Sequence, residues 1–233
     1  MSPARPPRSV FTALTEGTYW FLVIDVLLVL ACAPTIIVWA LLGGDPAGAL
    51  WLGLAALPVL PALAAALYAW RRRGEDPDLA PASRFLRGYR VNLRDSLAVG
   101  APALAILTVL ALNIAYGGAL GTSSLSAAFL VIGALVLLIL VRALTIVSSF
   151  SFRLRDVLRL SVFTLLTKPL STLALLSLGV LTVGLMHFVG EFALLLAASL
   201  LTYALWHSEQ PVARLLREQF VRSEEEPAPG PAA

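Results

Sequence analysis

Six runs of about 20 apolar residues, nearly free of charge, constrain this chain more than any other feature. They fall at residues 18–42, 47–70, 97–116, 124–147, 170–187 and 189–206. A helix needs roughly 20 apolar residues to cross a hydrocarbon core of about 30 Å. Of the 233 residues, 59% are hydrophobic and 13% charged, whereas soluble domains average about 45–50% and 25%. A soluble core in a chain this short cannot hide so much apolar surface, so the remainder must face lipid. The expected class is all-α: a polytopic transmembrane bundle of six spans. The last two runs are interrupted only around "GLMHFVGEF". They are read as a tight hairpin rather than re-entrant segments, since one helix of that length would far exceed the membrane.

Orientation follows from charge. With the N-terminus inside, all 17 Lys and Arg fall on the cytoplasmic side, as the bias of short cytoplasmic loops toward Lys and Arg requires. They are Arg5 and Arg8; seven between the second and third spans; Arg142, Arg153, Arg155, Arg159 and Lys168; and Arg214, Arg217 and Arg222. The outer turns "GGDPAG", "GGALGTSS" and the one near Gly190 carry none. The expected organisation is a cytoplasmic segment at 1–17, a six-helix domain at 18–207 containing a basic loop at 71–96, and a cytoplasmic tail at 208–233. The end of that tail, "EEEPAPGPAA", is expected to be disordered. The protein is placed in the plasma membrane with both termini cytoplasmic. Cleavage at "VLACAP" is not expected: Asp25 interrupts the apolar core, Pro34 follows the site, and apolar sequence continues to Leu42.

The most charged passage is "YAWRRRGEDPDLAPASRFLRGYRVNLRDS", residues 68–96. Past its turn-forming "GEDPD", a helical wheel puts Phe85, Leu86, Tyr89, Leu93 and Leu97 on one arc and Arg84, Arg87, Arg90 and Arg94 on the next. That pattern predicts an amphipathic helix lying in the interface, its aromatics at headgroup depth and its arginines on anionic headgroups. Arg84, Phe85, Arg87, Tyr89, Arg90 and Arg94 are thus candidate lipid or partner contacts. "LRDSL" at 93–97 is echoed by "LRDVL" at 154–158, each before an odd-numbered span. Nucleic acid is not an expected partner, since no basic and aromatic residues interleave on a soluble domain.

The segments "FTALTEGTYWFLVIDVLLVLACAPT" and "PALAAALYAWRRRGEDPDLAPASRFLRGYRVNLRDSLAVG" resemble the YesL-like family of bacterial membrane proteins. The shared features are an aromatic-rich start to the first helix, Pro34, Pro61 with its small-residue run to Tyr68, the acidic Glu75 and Asp76, and Phe85, Tyr89 and Asn92. Asp25 and Leu60 stand where the family pattern has Asn and Gly. The family's activity is uncharacterised. The resemblance implies at most an accessory role near carbohydrate ABC transporters, with transporter subunits or self-association as partners, and it supplies no catalytic residues.

Charges within spans are functional candidates because each costs at least about 2.5–3.5 kcal/mol at mid-bilayer. Asp25 in the first span and Arg142 in the fourth lie at comparable depth and are expected to pair across helices. His187 and Glu191, four apart at the outer turn of the last hairpin, form a polar pair if the helix continues there. They are too few to hold a metal, and the single Cys32 excludes a disulfide or Cys-based cluster. Pro58 and Pro61 are expected to break the second span, a transporter signal only when matched in the other half. No phosphate loop, HExxH or GxSxG occurs. The expectation is therefore no enzyme, no cofactor and no metal, but an accessory membrane component, with a small-molecule transporter as the alternative.

Overall fold

The computed structural model describes residues 10–42, 48–75, 80–149 and 154–220. Arg5, Arg8, Asp76, Arg153, Arg222, the outer turn at 43–47 and the acidic tail lie outside the described residues. Among those described there are only helices and turns, with no strand. Six helical stretches are long and apolar enough to cross a membrane: Leu14–Leu42, Ala49–Arg73, Pro81–Ala115, Ser123–Ser149, Pro169–Phe188 and Phe192–Leu215. The chain is a multi-pass helical membrane protein.

The first span, α1 (Val10–Leu42), keeps Pro34 inside an unbroken helix. The second divides into α2 (Ala49–Ala55) and α3 (Val59–Glu75) around Ala56–Pro58. Pro58 lacks the N–H that would continue the ladder, so carbonyls are left open there. The Thr35 hydroxyl of α1 donates to one of them, Ala55 O, at 2.5 Å. Within lipid such a break persists only where neighbouring groups satisfy the freed backbone.

Pro81 at the first turn opens α4 (Pro81–Ala115), a 35-residue helix. A short α5 (Gly117–Leu120) and a 3-10 turn (Ser123–Leu125) connect it to α6 (Ser126–Ser149). There follow α7 (Leu154–Thr167), α8 (Pro169–Phe188) and α9 (Glu191–Phe220). The α8–α9 junction turns at Gly190, whose φ of +105° suits only glycine. Ser171 near the start of α8 bonds Ser208 and Glu209 of α9, so the pair is an antiparallel hairpin, as the sequence predicts.

Helix α3 lies against α1, α4, α6 and α9. Its face of Ala62, Ala65, Ala66 and Ala69 is fully buried with Trp20, Ile24 and Trp70. Small side chains let helices approach closely, which matters in lipid because packing replaces the hydrophobic drive between helices. The α3–α4 seam is tight: a Cβ on Gly88 would sit 2.9 Å from Tyr68 Cβ, and one on Gly100 would sit 2.5 Å from Leu60. Large apolar side chains such as Leu22, Leu130, Leu166 and Leu196 point outward, the surface expected to meet acyl chains.

The segment after the basic loop is helical and continues without a break into the third span as α4. At 1.5 Å per residue α4 is about 52 Å long, which exceeds the hydrocarbon core by about 20 Å. Its length alone leaves several turns outside the core. Helix α9 runs on to Phe220, with Glu209 and Val212 buried. Helix α1 begins at Val10, within the expected N-terminal segment.

Candidate functional site

The described basic residues lie toward one end of the bundle, on the end of α3, the start of α4, the end of α6, α7 with Lys168 after it, and the end of α9. At its centre stands Arg142 on α6, which is fully buried. Its partner is Glu209 of α9, also buried, with Arg142 Nη1 3.0 Å from Glu209 Oε2. Nη1 also donates to the Ser171 hydroxyl at 3.3 Å, and Nη2 donates to the Thr172 hydroxyl at 3.3 Å. Each hydroxyl is oriented in turn. Ser171 donates to Ser208 O at 2.9 Å and Glu209 Oε1 at 3.1 Å, while Thr172 donates to Leu165 O at 2.9 Å and Lys168 O at 3.2 Å.

This network exists because α8 restarts at Pro169. Lys168 leaves helical geometry with φ −122° and ψ 70°, and the first turn of α8 then presents Ser171 and Thr172 toward α6. One guanidinium thus ties α6, α8 and α9 together, and the backbone end of α7 with them. An ion taken out of water costs several kcal/mol unless paired and hydrogen-bonded, so Arg142 and Glu209 require each other.

The expected pair of Asp25 with Arg142 is not made. Asp25 is half-buried on α1, and its Oδ1 accepts the backbone N–H of Ser199 in α9 at 2.9 Å. Arg142 instead meets the acid of α9 and the hydroxyls of α8. Ser199 and Glu209 are ten residues apart on α9, about 15 Å along its axis, so Asp25 and Arg142 do not share a depth, and counting residues from the span ends did not reveal this.

Beside the ion pair lies an aromatic cluster. Trp70 packs against Phe21 and Tyr203 with ring centroids 4.8 and 5.1 Å away, and Trp20 lies 6.1 Å from it. The Trp70 indole N–H donates to the Thr202 hydroxyl at 3.2 Å. The guanidinium carbons of Arg73 and Arg84 each lie 5.3 Å from the Trp20 ring, a cation–π arrangement worth more when desolvated. Arg84 and Phe85 are therefore buried against the bundle, 3% and 2% exposed, and not on a headgroup-facing arc. The packed stripe of α4 is Arg84, Gly88, Asn92 and Ser96. Leu86 and Leu93, expected on the apolar face, are exposed. Tyr89 is half-buried and stacked on Phe85 at 6.5 Å. Of the six candidate contacts only Arg87, Arg90 and Arg94 are exposed.

His187 is exposed at the end of α8, next to Phe188. Glu191 opens α9 beyond the Gly190 turn, so the two do not share one helical face. The Glu191 side chain lies outside the described residues. Among the described residues no three His, Cys, Asp or Glu converge to hold a metal.

Glu209 is the residue that sequence reading missed. It lay past the apolar run and was assigned to the tail. The signal that finds it is the helical spacing of Thr202, Leu205, Glu209 and Val212, which continues one buried face past Trp206.

Two cavities flank the network. One, of about 440 Å³, lies among α1, α3, α6, α8 and α9 and is lined by leucines and valines, with Cys32, Thr182 and Thr202 as its polar side chains. The other, of about 200 Å³, is bounded by Arg71, Thr145, Ser149, Glu209, Gln210 and Arg214.

Over residues 18–114 the chain is similar to a protein family described as of unknown function, DUF624. That stretch includes Asp25, Trp20, Trp70 and the packed stripe of α4, and stops short of Arg142, Ser171 and Glu209. Comparison with curated proteins and with solved structures returned no match. What the comparisons establish about identity is likeness, across α1 to α4, to an uncharacterised family.

Proposed function

We propose that this is a bacterial protein of the plasma membrane with both termini in the cytoplasm. In this reading it performs no catalysis and acts as an accessory or scaffold component linked to carbohydrate uptake of the ABC type. The observation that carries the accessory role over transport in its own right is the chemistry of the larger cavity. A sugar path needs polar groups converging on hydroxyls. The lining threonines are already engaged: Thr182 donates to Leu178 O, and Thr202 donates to Ser199 O while accepting from Trp70. The remaining lining apart from Cys32 is apolar.

Orientation is supported by the confinement of all 17 basic residues to one side of the six-span scheme. The link to sugar uptake is supported by the YesL-like resemblance, with which the match to an uncharacterised family over 18–114 is consistent. Exposed Arg87, Arg90 and Arg94 lie on the part of α4 that outreaches the bilayer core. They suit an acidic face of a transporter subunit or anionic headgroups.

The test is paired. Affinity purification from the native membrane is expected to bring ABC-transporter subunits with the chain, and liposomes holding the chain alone are expected to show no sugar flux. Flux of a labelled sugar through the chain alone, with no co-purifying subunit, would establish the transporter instead.

A further inference from the structure

Helix α7 (Leu154–Thr167) is the longest described helix outside the six spans. Its 14 residues measure about 21 Å, too short to cross the core. It joins the end of α6 to the start of α8, so both its ends lie at the basic end of the bundle. The 20 residues of α8 match a core of about 30 Å, which puts Pro169 at the edge of the core and the last turn of α7 beside it. The direction of α7 follows from its contacts. Val157 clusters with Ile146 and Val212, about one turn beyond Arg142 and Glu209 toward the basic end. Leu165, eight residues later, offers its carbonyl to Thr172, which also holds Arg142. About 12 Å of helix thus advances the chain by only about one turn along the bundle, so α7 lies more across the bundle than along it.

Around the axis of α7, at 100° per residue, the side chains fall into successive sectors. Val157, Ser161 and Thr164 are buried against the bundle. The next sector is Leu154, Leu158 and Val162, all exposed. Arg155 and Arg159 follow, exposed, and Asp156 and Thr167 on the remaining side are exposed as well. Leu166 and Phe163 share the arginine sector, but both belong to the end of α7 nearest the core. This order suits a helix lying in the membrane surface, with its apolar sector at the acyl boundary, its arginines among headgroups and its last sector in water.

We propose that α7 is an in-plane docking surface for anionic phospholipid, with Arg155 and Arg159 on phosphate groups and Leu154, Leu158 and Val162 among the first acyl carbons. Among the described residues neither arginine has a hydrogen bond or ion pair, so both keep their donors for a ligand. With Asp156 counted, the exposed side of α7 carries one net positive charge, which favours an anionic over a zwitterionic headgroup. A second copy of the chain covering the same stripe would have to desolvate two guanidinium groups, a cost that lipid phosphates avoid. The surface is independent of any accessory role in uptake.

The test places the full chain, as C32S with one bimane-labelled cysteine, in phosphatidylcholine nanodiscs holding a trace of lipid with a nitroxide on its upper acyl chain. With labelled phosphatidylcholine, quenching is expected at L158C and V162C and not at D156C. At L158C, labelled phosphatidylglycerol is expected to quench about fivefold more effectively than labelled phosphatidylcholine, the scale of one net basic residue near the surface. R155Q/R159Q is expected to bring the two lipids level, while R87Q/R90Q/R94Q leaves the ratio at L158C unchanged. All five arginines are exposed, and unchanged thermal stability checks that the variants fold. Stronger quenching at D156C than at L158C would overturn the proposal, as would equal quenching by the two lipids or a ratio that survives R155Q/R159Q. Shielding of L158C from both lipids and from aqueous iodide would show a second copy or another protein on this face instead.

Discussion

Replacing Glu209 by leucine should destabilise the fold as much as removing its partner Arg142, and more than any other single charge removal. E209L leaves the Arg142 guanidinium fully buried, with two neutral hydroxyls at 3.3 Å as its partners. Hydrogen bonds to a charged group contribute about 1.5–3 kcal/mol, and these two are long. Removing one member of a buried ion pair costs about 3–5 kcal/mol, while replacing both by apolar residues is often near neutral. Arg142 lies seven residues from the end of α6, about 10 Å, so partial escape toward water puts the cost near the lower figure, about 3 kcal/mol. R142L should cost about the same, because Glu209 is then left with Ser171. The double variant R142L/E209L should fall within about 1 kcal/mol of the parent. The assay is a double-mutant cycle of unfolding free energies in mixed micelles, with an expected coupling of at least about 2 kcal/mol. A D25L/R142L cycle should show none, because Asp25 is bound to Ser199 N. Additive effects below about 1 kcal/mol for R142L and E209L would refute the reasoning, as would coupling of Arg142 to Asp25.

Further outcomes follow from the α3–α4 seam and the basic end. G88V and G100L each place a side chain where a Cβ alone meets Tyr68 or Leu60 under 3.0 Å. Each should cost about 1–3 kcal/mol of overpacking in the same unfolding assay. In a C32S background, S123C at the outer turn should react with an impermeant maleimide on intact cells and S83C should not; the reverse pattern would invert the assigned orientation. The triple variant R87Q/R90Q/R94Q should leave stability within about 0.5 kcal/mol while weakening co-purification of a partner. R84Q should lose about 1–2 kcal/mol, through the Trp20 contact.

How much was legible in the sequence differs between elements. The break of the second span at Pro58 and the turn at Gly190 were readable because proline and glycine act on the backbone they occupy. The amphipathic reading of 84–97 found a helix but assigned its faces by polarity, which fails where an arginine is held over a tryptophan from another helix. The echo of "LRDSL" in "LRDVL" concealed different outcomes, since the first lies inside α4 and the second opens a separate α7. Lys168 and Pro169 interrupt the second case, and nothing interrupts the first.

Taken alone, the sequence determined six apolar spans and the side on which charge gathers, because hydrophobic length and the Lys and Arg bias act on each segment independently of its neighbours. Only the tertiary structure decided which buried charge meets which. Arg142 pairs with Glu209 rather than Asp25 because helix rotation and the restart of α8 at Pro169 place an acid and two hydroxyls on one side of α6. A partner's position along and around a helix axis is a property of the assembled bundle, which no single span encodes.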